Sequence, residues 1–341
     1  MPLVILNTEL PLFTWTVDHP WLSAFLLALG SFTFLRFAVK TAVVFSQTFL
    51  LGGTSLKKFG AKQGAWAVVT GASTGIGREF AVQLAKAGFN VLVAARSTSS
   101  LNETVSEIAS AASGSQTKVV TIDLSKDDEA AYASFADTIA ALDIGVLVNN
   151  AGKSHEMPTD FVETPKSEMD DILAINTRAV LRITALVVPH MLQRKRGLIL
   201  NIGSFAGEIP SPMLATYSAS KAFLATFSAA LGAELKPHGI VVEHVNTYFV
   251  VSNMSKIRRA SALVPTPRAF VRAVLAKLGL PCGAAFTGRP HTSTPFWSHA
   301  LVDYAIGVLG WTGGMVSYTH GLHKSIRKRA LRKKEREAKR E

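Results

Sequence analysis

Tyr217 and Lys221 stand four residues apart, a spacing that puts both on one face of a helix, one turn from each other. A phenol titrates far above neutrality, and an ammonium beside it favours phenolate and brings proton transfer within reach. Ser204 closes a short apolar run that ends near Gly203, and from there its hydroxyl can donate toward the same space. Taken alone, Tyr-x-x-x-Lys also describes ordinary helix surface, so its meaning depends on the elements that position it.

The first of these elements is a glycine turn. Residues 65–70 read as a short strand and are followed at once by Gly71-Ala-Ser73-Thr-Gly75-Ile76-Gly77, which runs into an amphipathic helix ending near Gly88. Backbone amides in such a strand-to-helix turn can approach a pyrophosphate, and the helix N-terminus adds favourable partial charge. The spacing is G-x-x-x-G-x-G, not the commoner G-x-G-x-x-G. About twenty residues on, a second strand (90–95) ends in Arg96. A carboxylate at that place would suit the ribose hydroxyl of NAD, whereas an arginine suits the 2′-phosphate, so NADPH is the expected cofactor.

Strand and helix then alternate. Helix 99–112 leads to strand 118–122, closed by Asp123, and helix 127–141 leads to strand 145–148, closed by Asn149-Asn150-Ala151-Gly152. A long helix opens at Thr164-Pro165 and carries Asn176, and the strand before Ser204, helix 216–236 and strand 240–245 follow. That alternation predicts an α/β fold, a Rossmann-like doubly wound parallel sheet. Beyond it, a helix over 267–278 and a connector over 281–295 are expected, with any last strand at 294–298.

With these motifs in order, residues 65–255 resemble the short-chain dehydrogenase/reductase family. The resemblance implies a catalytic tetrad. Tyr217 would protonate the carbonyl oxygen as hydride arrives, Lys221 would lower its pKa and hold the nicotinamide ribose, Ser204 would orient the carbonyl, and Asn176 would hold a water of the proton relay. It also implies cofactor contacts from Gly71, Ser73, Gly75, Ile76, Gly77 and Arg96, with Asp123 at the adenine and Val69 and Asn150 on the cofactor's floor. Where many members have Pro-Gly and then Thr, this chain has Asn246-Thr-Tyr-Phe-Val250-Val-Ser252. That departure, the N-terminal apolar segment and Thr294-Pro-Phe-Trp-Ser-His-Ala300 make the chain similar to the microsomal very-long-chain 3-oxoacyl-CoA reductases and their 17β-hydroxysteroid dehydrogenase relatives. By that likeness Val250 and Ser252 would contact NADPH. The implied reaction is reduction of a very-long-chain 3-oxoacyl-CoA in fatty-acid elongation, with elongase and dehydratase partners. A membrane-bound hydroxysteroid or retinoid reductase is the alternative, and a non-catalytic nucleotide-sensing scaffold is the remote one.

The two ends of the 341-residue chain carry different signals. Residues 1–20 hold no Lys or Arg and are read as a lumenal terminus; residues 21–51 form an apolar anchor with an interfacial extension. Arg36 and Lys40 fall at the far end of the main apolar run, Lys57, Lys58 and Lys62 come after it and none comes before it, so the rest faces the cytosol by the positive-inside rule. The catalytic domain is assigned to 65–300. Residues 301–322 read as an apolar segment lying on the membrane or lining an acyl site, and 323–341 as a basic cytosolic tail. Ten Lys/Arg and three Glu from Lys324 onward account for +7 of the net charge of +12. Without a nucleic-acid motif beside it, that charge suits anionic lipid headgroups. The single cysteine, Cys282, excludes an intrachain disulfide and reads as a packing residue in a turn. The expected residence is the endoplasmic-reticulum membrane with one span. No metal site is expected.

Overall fold

In the computed structural model, which describes residues 19–339, seven parallel strands form one sheet. The strands are β1 (Trp66–Thr70), β2 (Asn90–Ala95), β3 (Thr117–Thr121), β4 (Ile144–Asn149), β5 (Gly197–Ile202), β6 (Ile240–Val245) and β7 (Thr292–Ser293), in the order β3-β2-β1-β4-β5-β6-β7. The chain moves outward from β1 to β3 and then returns to the other side of β1, so the β1/β4 boundary is a topological switch point. In open α/β sheets, ligands bind at the strand ends beside such a point.

Both faces of the sheet are covered, and the side-chain alternation divides them. Val69, Val93, Val148 and Leu200 enter one core with Phe80, Leu84 and Phe270; Val68, Leu92, Leu147 and Ile199 enter the other with Phe135, Ile183 and Met191. The covering helices are α2 (Gly75–Lys86), α3 (Thr98–Ala111), α4 (Glu129–Ile139), α5 (Lys166–Leu173), α6 (Ala179–Arg194), α7 (Ala215–Leu235) and α8 (Pro267–Ala276). A π-helical turn, Ala174–Arg178, joins α5 to α6 and carries Asn176, so the long helix expected from Pro165 is one rod with a bulge at its chemically interesting residue.

The last strand is not where the sequence suggested. Instead of 294–298, the ladder ends at Ser293: Pro295 has no N–H to extend it, and Trp297 already begins a helix. That helix, α9 (Trp297–Leu309), stops at Gly310 in the left-handed region, and α10 (Thr312–Ala338) follows. The expected boundary at 322/323 therefore falls inside one continuous helix.

At the other end, α1 (Pro20–Phe45) continues through a π-helical turn to Leu50. Two helices among the described residues are long and apolar enough to cross a membrane. One is 20–50, whose apolar window is 0% buried, and the other is 166–194, which is 44% buried and belongs to the core. Residues 1–18 of the expected lumenal terminus, and Arg340 and Glu341 of the tail, lie outside the described residues. The end of this helix is fastened to the body. Gly53 N–H donates to the Ala276 carbonyl, Gln47 Oε1 accepts the Cys282 N–H at 3.0 Å, and Thr41 Oγ1 and Tyr304 Oη are 2.6 Å apart. Cys282 is buried there and its thiol is pushed up to about 12, as suits a packing residue.

Candidate active site

The glycine turn sits at the C-terminal end of β1, and its three glycines differ in what surrounds them. Gly71 has φ +64°, and a Cβ on it would lie 2.8 Å from Ala151 Cα; one on Gly77 would lie 2.2 Å from the Gly71 carbonyl oxygen. These two allow close approach of backbone. Gly75 also has positive φ, at +60°, but a Cβ there would meet only Ser252 Cβ, at 3.9 Å. The surface it leaves bare opens the first turn of α2, and Thr74, at the N-cap, makes no side-chain capping bond to those amides. A cradle with unclaimed donors and no side chain fits a pyrophosphate.

Asn150, from the end of β4, closes the turn from behind. Its Nδ2 donates to the Thr70 and Gly71 carbonyls at 3.1 and 3.2 Å, so the side chain ties two strand ends together. Val69 and Val250 are both buried in the same core, behind the turn and behind the loop after β6. Ser252 Oγ caps its own loop by accepting from the Ser255 N–H at 3.1 Å, and Ile76 packs partly buried against the core. Ser73 lies half-buried in the turn. At the next strand ends, Arg96 is exposed and stands near Asp123. Partial burial would raise the Asp123 carboxyl, but bonds from the Ser125 hydroxyl and amide, with Arg96 and Lys126 nearby, hold it below the usual range.

Ser204, Tyr217 and Lys221 converge beside this cradle. β5 delivers Ser204, and the first turns of α7 deliver the other two from one face. Lys221 is buried, donates from Nζ to the Ile202 carbonyl at 2.9 Å, and lies 5.8 Å from the centre of the Tyr217 ring. Burial pulls it down to about 8. Burial raises Tyr217 above its ordinary value, opposed only by a hydrogen bond with Ser204. The ammonium faces a carbonyl and not the hydroxyl, so the charge that would favour phenolate acts elsewhere.

Asn176 is fully engaged. Its Oδ1 accepts the Lys153 N–H at 2.8 Å, and its Nδ2 donates to the Lys153 carbonyl and to Ser220 Oγ, each at 2.9 Å. The π-turn thus clamps the chain just after β4, and Gly152 there leaves a gap between Asn176 and Lys221. A Cβ on Gly152 would be 3.5 Å from Asn176 Oδ1 and 3.7 Å from Lys221 Nζ.

The other wall of the site escaped sequence reasoning. Glu208, four residues past Ser204, pairs with Arg289 at 3.1 Å, and Arg289 pairs with Asp303 at 2.7 Å. Asp303 in turn accepts from Thr294 and Asn246. Burial raises Glu208, and Arg289 opposes that rise. Phe205 stacks on Tyr248 at 3.9 Å, and the Tyr248 hydroxyl, Asn246 Oδ1 and His299 Nδ1 are buried with no hydrogen-bond partner among the described residues. Beneath Ser204, the His244 ring fills the place a side chain at Gly203 would need, with Nε2 at 2.0 Å from such a Cβ. Burial and the charges of Lys221 and Arg289 hold that ring neutral, its pKa lowered to about 3. The one available signal was that His299 and Asp303 interrupt an apolar run; both side chains are buried inside the protein.

A glycine cradle at the switch point, with a serine, tyrosine and lysine meeting beside it, is the arrangement of one enzyme family. The short chain dehydrogenase family matches residues 65–262, and the chain belongs to it. Among its relatives, very-long-chain 3-oxoacyl-CoA reductase of Laccaria bicolor is 59% identical over 98% of this chain and 99% of its own. The protein of the same name from Coprinopsis cinerea is 60% identical over 94% and 95%. A short-chain dehydrogenase from Sphingobium yanoikuyae, solved in complex with NADPH, is 25% identical with a TM-score of 0.59, covering 74% of this chain and 95% of that one. A metagenomic short-chain oxidoreductase in complex with NADP is 32% identical, with a TM-score of 0.53 over 63% and 91%. The chain is an oxidoreductase.

Proposed function

We propose that the protein reduces a very-long-chain 3-oxoacyl-CoA to the 3-hydroxyacyl-CoA with NADPH. The observation that carries this reading is the meeting of Ser204, Tyr217 and Lys221 beside an open glycine cradle, in a chain whose relatives of that name match it from end to end. When bound, NADPH supplies the hydride that adds to the carbonyl carbon. Tyr217 Oη gives its proton to the carbonyl oxygen, and the Ser204 hydroxyl donates a hydrogen bond to that oxygen, holding it toward the phenol. Lys221 holds the nicotinamide ribose and, once turned from the Ile202 carbonyl, favours the phenolate left behind. Asn176, by fixing both polar groups of Lys153, keeps room at Gly152 for the water through which Tyr217 is reprotonated. Gly71, Ser73, Gly75, Ile76 and Gly77 hold the pyrophosphate, Arg96 the 2′-phosphate and Asp123 the adenine; Val69, Asn150, Val250 and Ser252 shape the surface behind them.

A substrate whose acyl chain partitions into lipid suits an enzyme held at a membrane. The helix 20–50 supplies the span, its end is bonded to the body, and the endoplasmic reticulum, with the catalytic domain cytosolic, is the proposed residence. The same chemistry places it after a condensing elongase, which makes 3-oxoacyl thioesters, and before a dehydratase, which consumes 3-hydroxyacyl thioesters.

The test is NADPH oxidation by detergent-solubilised protein given a very-long-chain 3-oxoacyl-CoA. The wild type is expected to turn over and Tyr217→Phe to lose about 10²–10⁴-fold in kcat. Binding of NADPH without turnover of any such thioester would overturn the reading.

A further inference from the structure

The basic C-terminal segment is not a free tail. Helix α10 lies across the loops that leave β4 and β5. His323 Nδ1 is 2.7 Å from the Pro212 carbonyl oxygen, Arg327 donates to the Pro158 carbonyl at 3.0 Å and to Thr159 Oγ1 at 2.8 Å, and Lys334 pairs with Glu156 at 2.9 Å. Lys256, from the loop after β6, reaches the backbone carbonyl of the same Glu156. Three segments thus meet at one residue. Glu156 follows Lys153, the residue clamped by Asn176, by three positions, so its Cα is within roughly 11 Å of that of Lys153. The loop bearing Lys256 begins at Ser252, against the glycine cradle.

Beyond Glu156, which Lys334 pairs, the loop after β6 brings only positive charge to this meeting point. Lys256, Arg258 and Arg259 are exposed, and no Asp or Glu occurs between Glu243 and Asp303. Arg258 and Arg259 have no ion pair among the described residues, while Lys334 holds the Glu156 carboxyl below its ordinary value. The apolar surface of the same helix pair lies at the other end: Leu309 and Trp311 are 69% and 61% exposed, beyond Tyr304, which touches the anchor. From Trp311 to Lys334 is roughly 35 Å along the helix. The two ends of α10 therefore present different chemistry, a greasy end beside the anchor and a cationic end beside the reaction site.

We propose that the cationic rim at Lys256, Arg258, Arg259 and Lys334 binds the phosphates of the coenzyme A portion of the substrate. This rests on the reductase reading. The pantetheine arm separates the reacting carbonyl from those phosphates, so the polyanion site need not touch Tyr217. Arginines suit it, because a guanidinium fork binds phosphate oxygens in pairs.

The test compares a 3-oxoacyl-CoA with the matching 3-oxoacyl-pantetheine thioester, which keeps the acyl chain and carbonyl and lacks the phosphates. The full-length enzyme is assayed in neutral detergent micelles and in micelles carrying phosphatidylserine. The expected result is that wild type favours the CoA ester in kcat/KM and that R258A/R259A lowers the CoA-to-pantetheine ratio about tenfold, chiefly through KM. Arg258→Lys/Arg259→Lys should restore part of it. An unchanged ratio in the alanine variant overturns the proposal while leaving the reductase reading intact, since the pantetheine ester is still reduced. A loss seen only with phosphatidylserine also overturns it, marking the rim as a headgroup contact. Turnover of neither ester by wild type overturns both.

Discussion

The two walls of the site are built from different materials. On the cofactor side, positions are set by backbone: glycines at 71 and 77 let the turn fold onto β4, and Asn150 stitches it to Thr70. On the Ser204 side, positions are set by buried charge, with Arg289 drawing together Glu208 beside Ser204 and Asp303 on α9. The first kind of wall is held at the backbone, with Asn150 80 positions from Thr70, and at Gly71 and Gly77 it leaves no room for an added atom. The second joins residues 81 and 14 positions apart (208 to 289, and 289 to 303), and it fails when a charge loses its partner.

Substitution at Gly77 should break the first wall most severely. A Cβ there meets the Gly71 carbonyl at 2.2 Å and Asn150 Nδ2 at 2.3 Å, both held by the turn. Gly77→Ala is expected to cost about 3 kcal/mol of stability, the upper part of the overpacking range, and to abolish NADPH binding. Gly75→Ala sharpens the contrast. Only the left-handed backbone is strained there, for about 1 kcal/mol, yet a methyl in the open cradle should still remove NADPH affinity. Thermal melts and fluorescence titration with NADPH separate the two.

Arg289→Met tests the second wall. It leaves the Glu208 and Asp303 side chains, 16% and 5% exposed, facing each other without a cation. The expected loss is about 3 kcal/mol, comparable to that at Gly77. Its pH dependence distinguishes it. Burial raises the Glu208 carboxyl and Arg289 opposes that rise, so without Arg289 Glu208 titrates higher folded than unfolded, and the penalty is present in full above its folded value and shrinks as pH falls and it becomes protonated. Melts at pH 5 and pH 8 should therefore differ less from wild type at the lower pH. Gly77→Ala should show no such dependence.

Lys221→Met moves stability the other way. Burial takes its pKa from 10.5 to about 8, so between those values the unfolded chain holds a proton the folded one has lost, and cofactor-free stability rises with pH across that window. Below it the folded protein carries a costly buried charge. At pH 7 the methionine variant is expected to gain about 1–3 kcal/mol while losing activity, and the rise between pH 8 and 10.5 should flatten. A variant that melts lower than wild type at pH 7 would show that the bond to Ile202 outweighs desolvation.

The difference between the walls also explains what could be read in advance. The strands, the glycine turn and the Tyr217–Lys221 pair were legible because each leaves a local pattern: a strand period, a turn with positive φ, a one-turn helix spacing. Asn176, whose partners Lys153 and Ser220 lie 23 and 44 positions away, was reached only through the family resemblance. Glu208 and Arg289 were not, because an ion pair across 81 positions leaves no periodic trace. The phenol's surroundings were not legible for a related reason. Spacing puts Lys221 near Tyr217, but only the fold shows that Ile202 takes the ammonium and that burial dominates both. The basic C-terminus was read as charge alone, since its partners Glu156, Glu163 and Pro212 lie more than a hundred residues upstream.

Arg96 is where the cofactor wall is expected to act through charge and not shape, with the smallest effect on the fold. Its side chain is exposed at the end of β2, and the nearby Asp123 is held mainly by Ser125. Arg96→Asp should therefore shift the melting free energy by less than about 0.5 kcal/mol. A charge-assisted contact to a phosphate is worth about 1.5–3 kcal/mol, so the ratio of kcat/KM for NADPH over NADH should fall by roughly 10- to 100-fold. Most of that change should appear as a higher KM for NADPH, with the reduction step at Tyr217 untouched. If the ratio holds while stability drops, Arg96 braces Asp123 and the 2′-phosphate is bound elsewhere on the turn; the cofactor wall would then be set by backbone throughout, and the contrast with the Arg289 side would be complete.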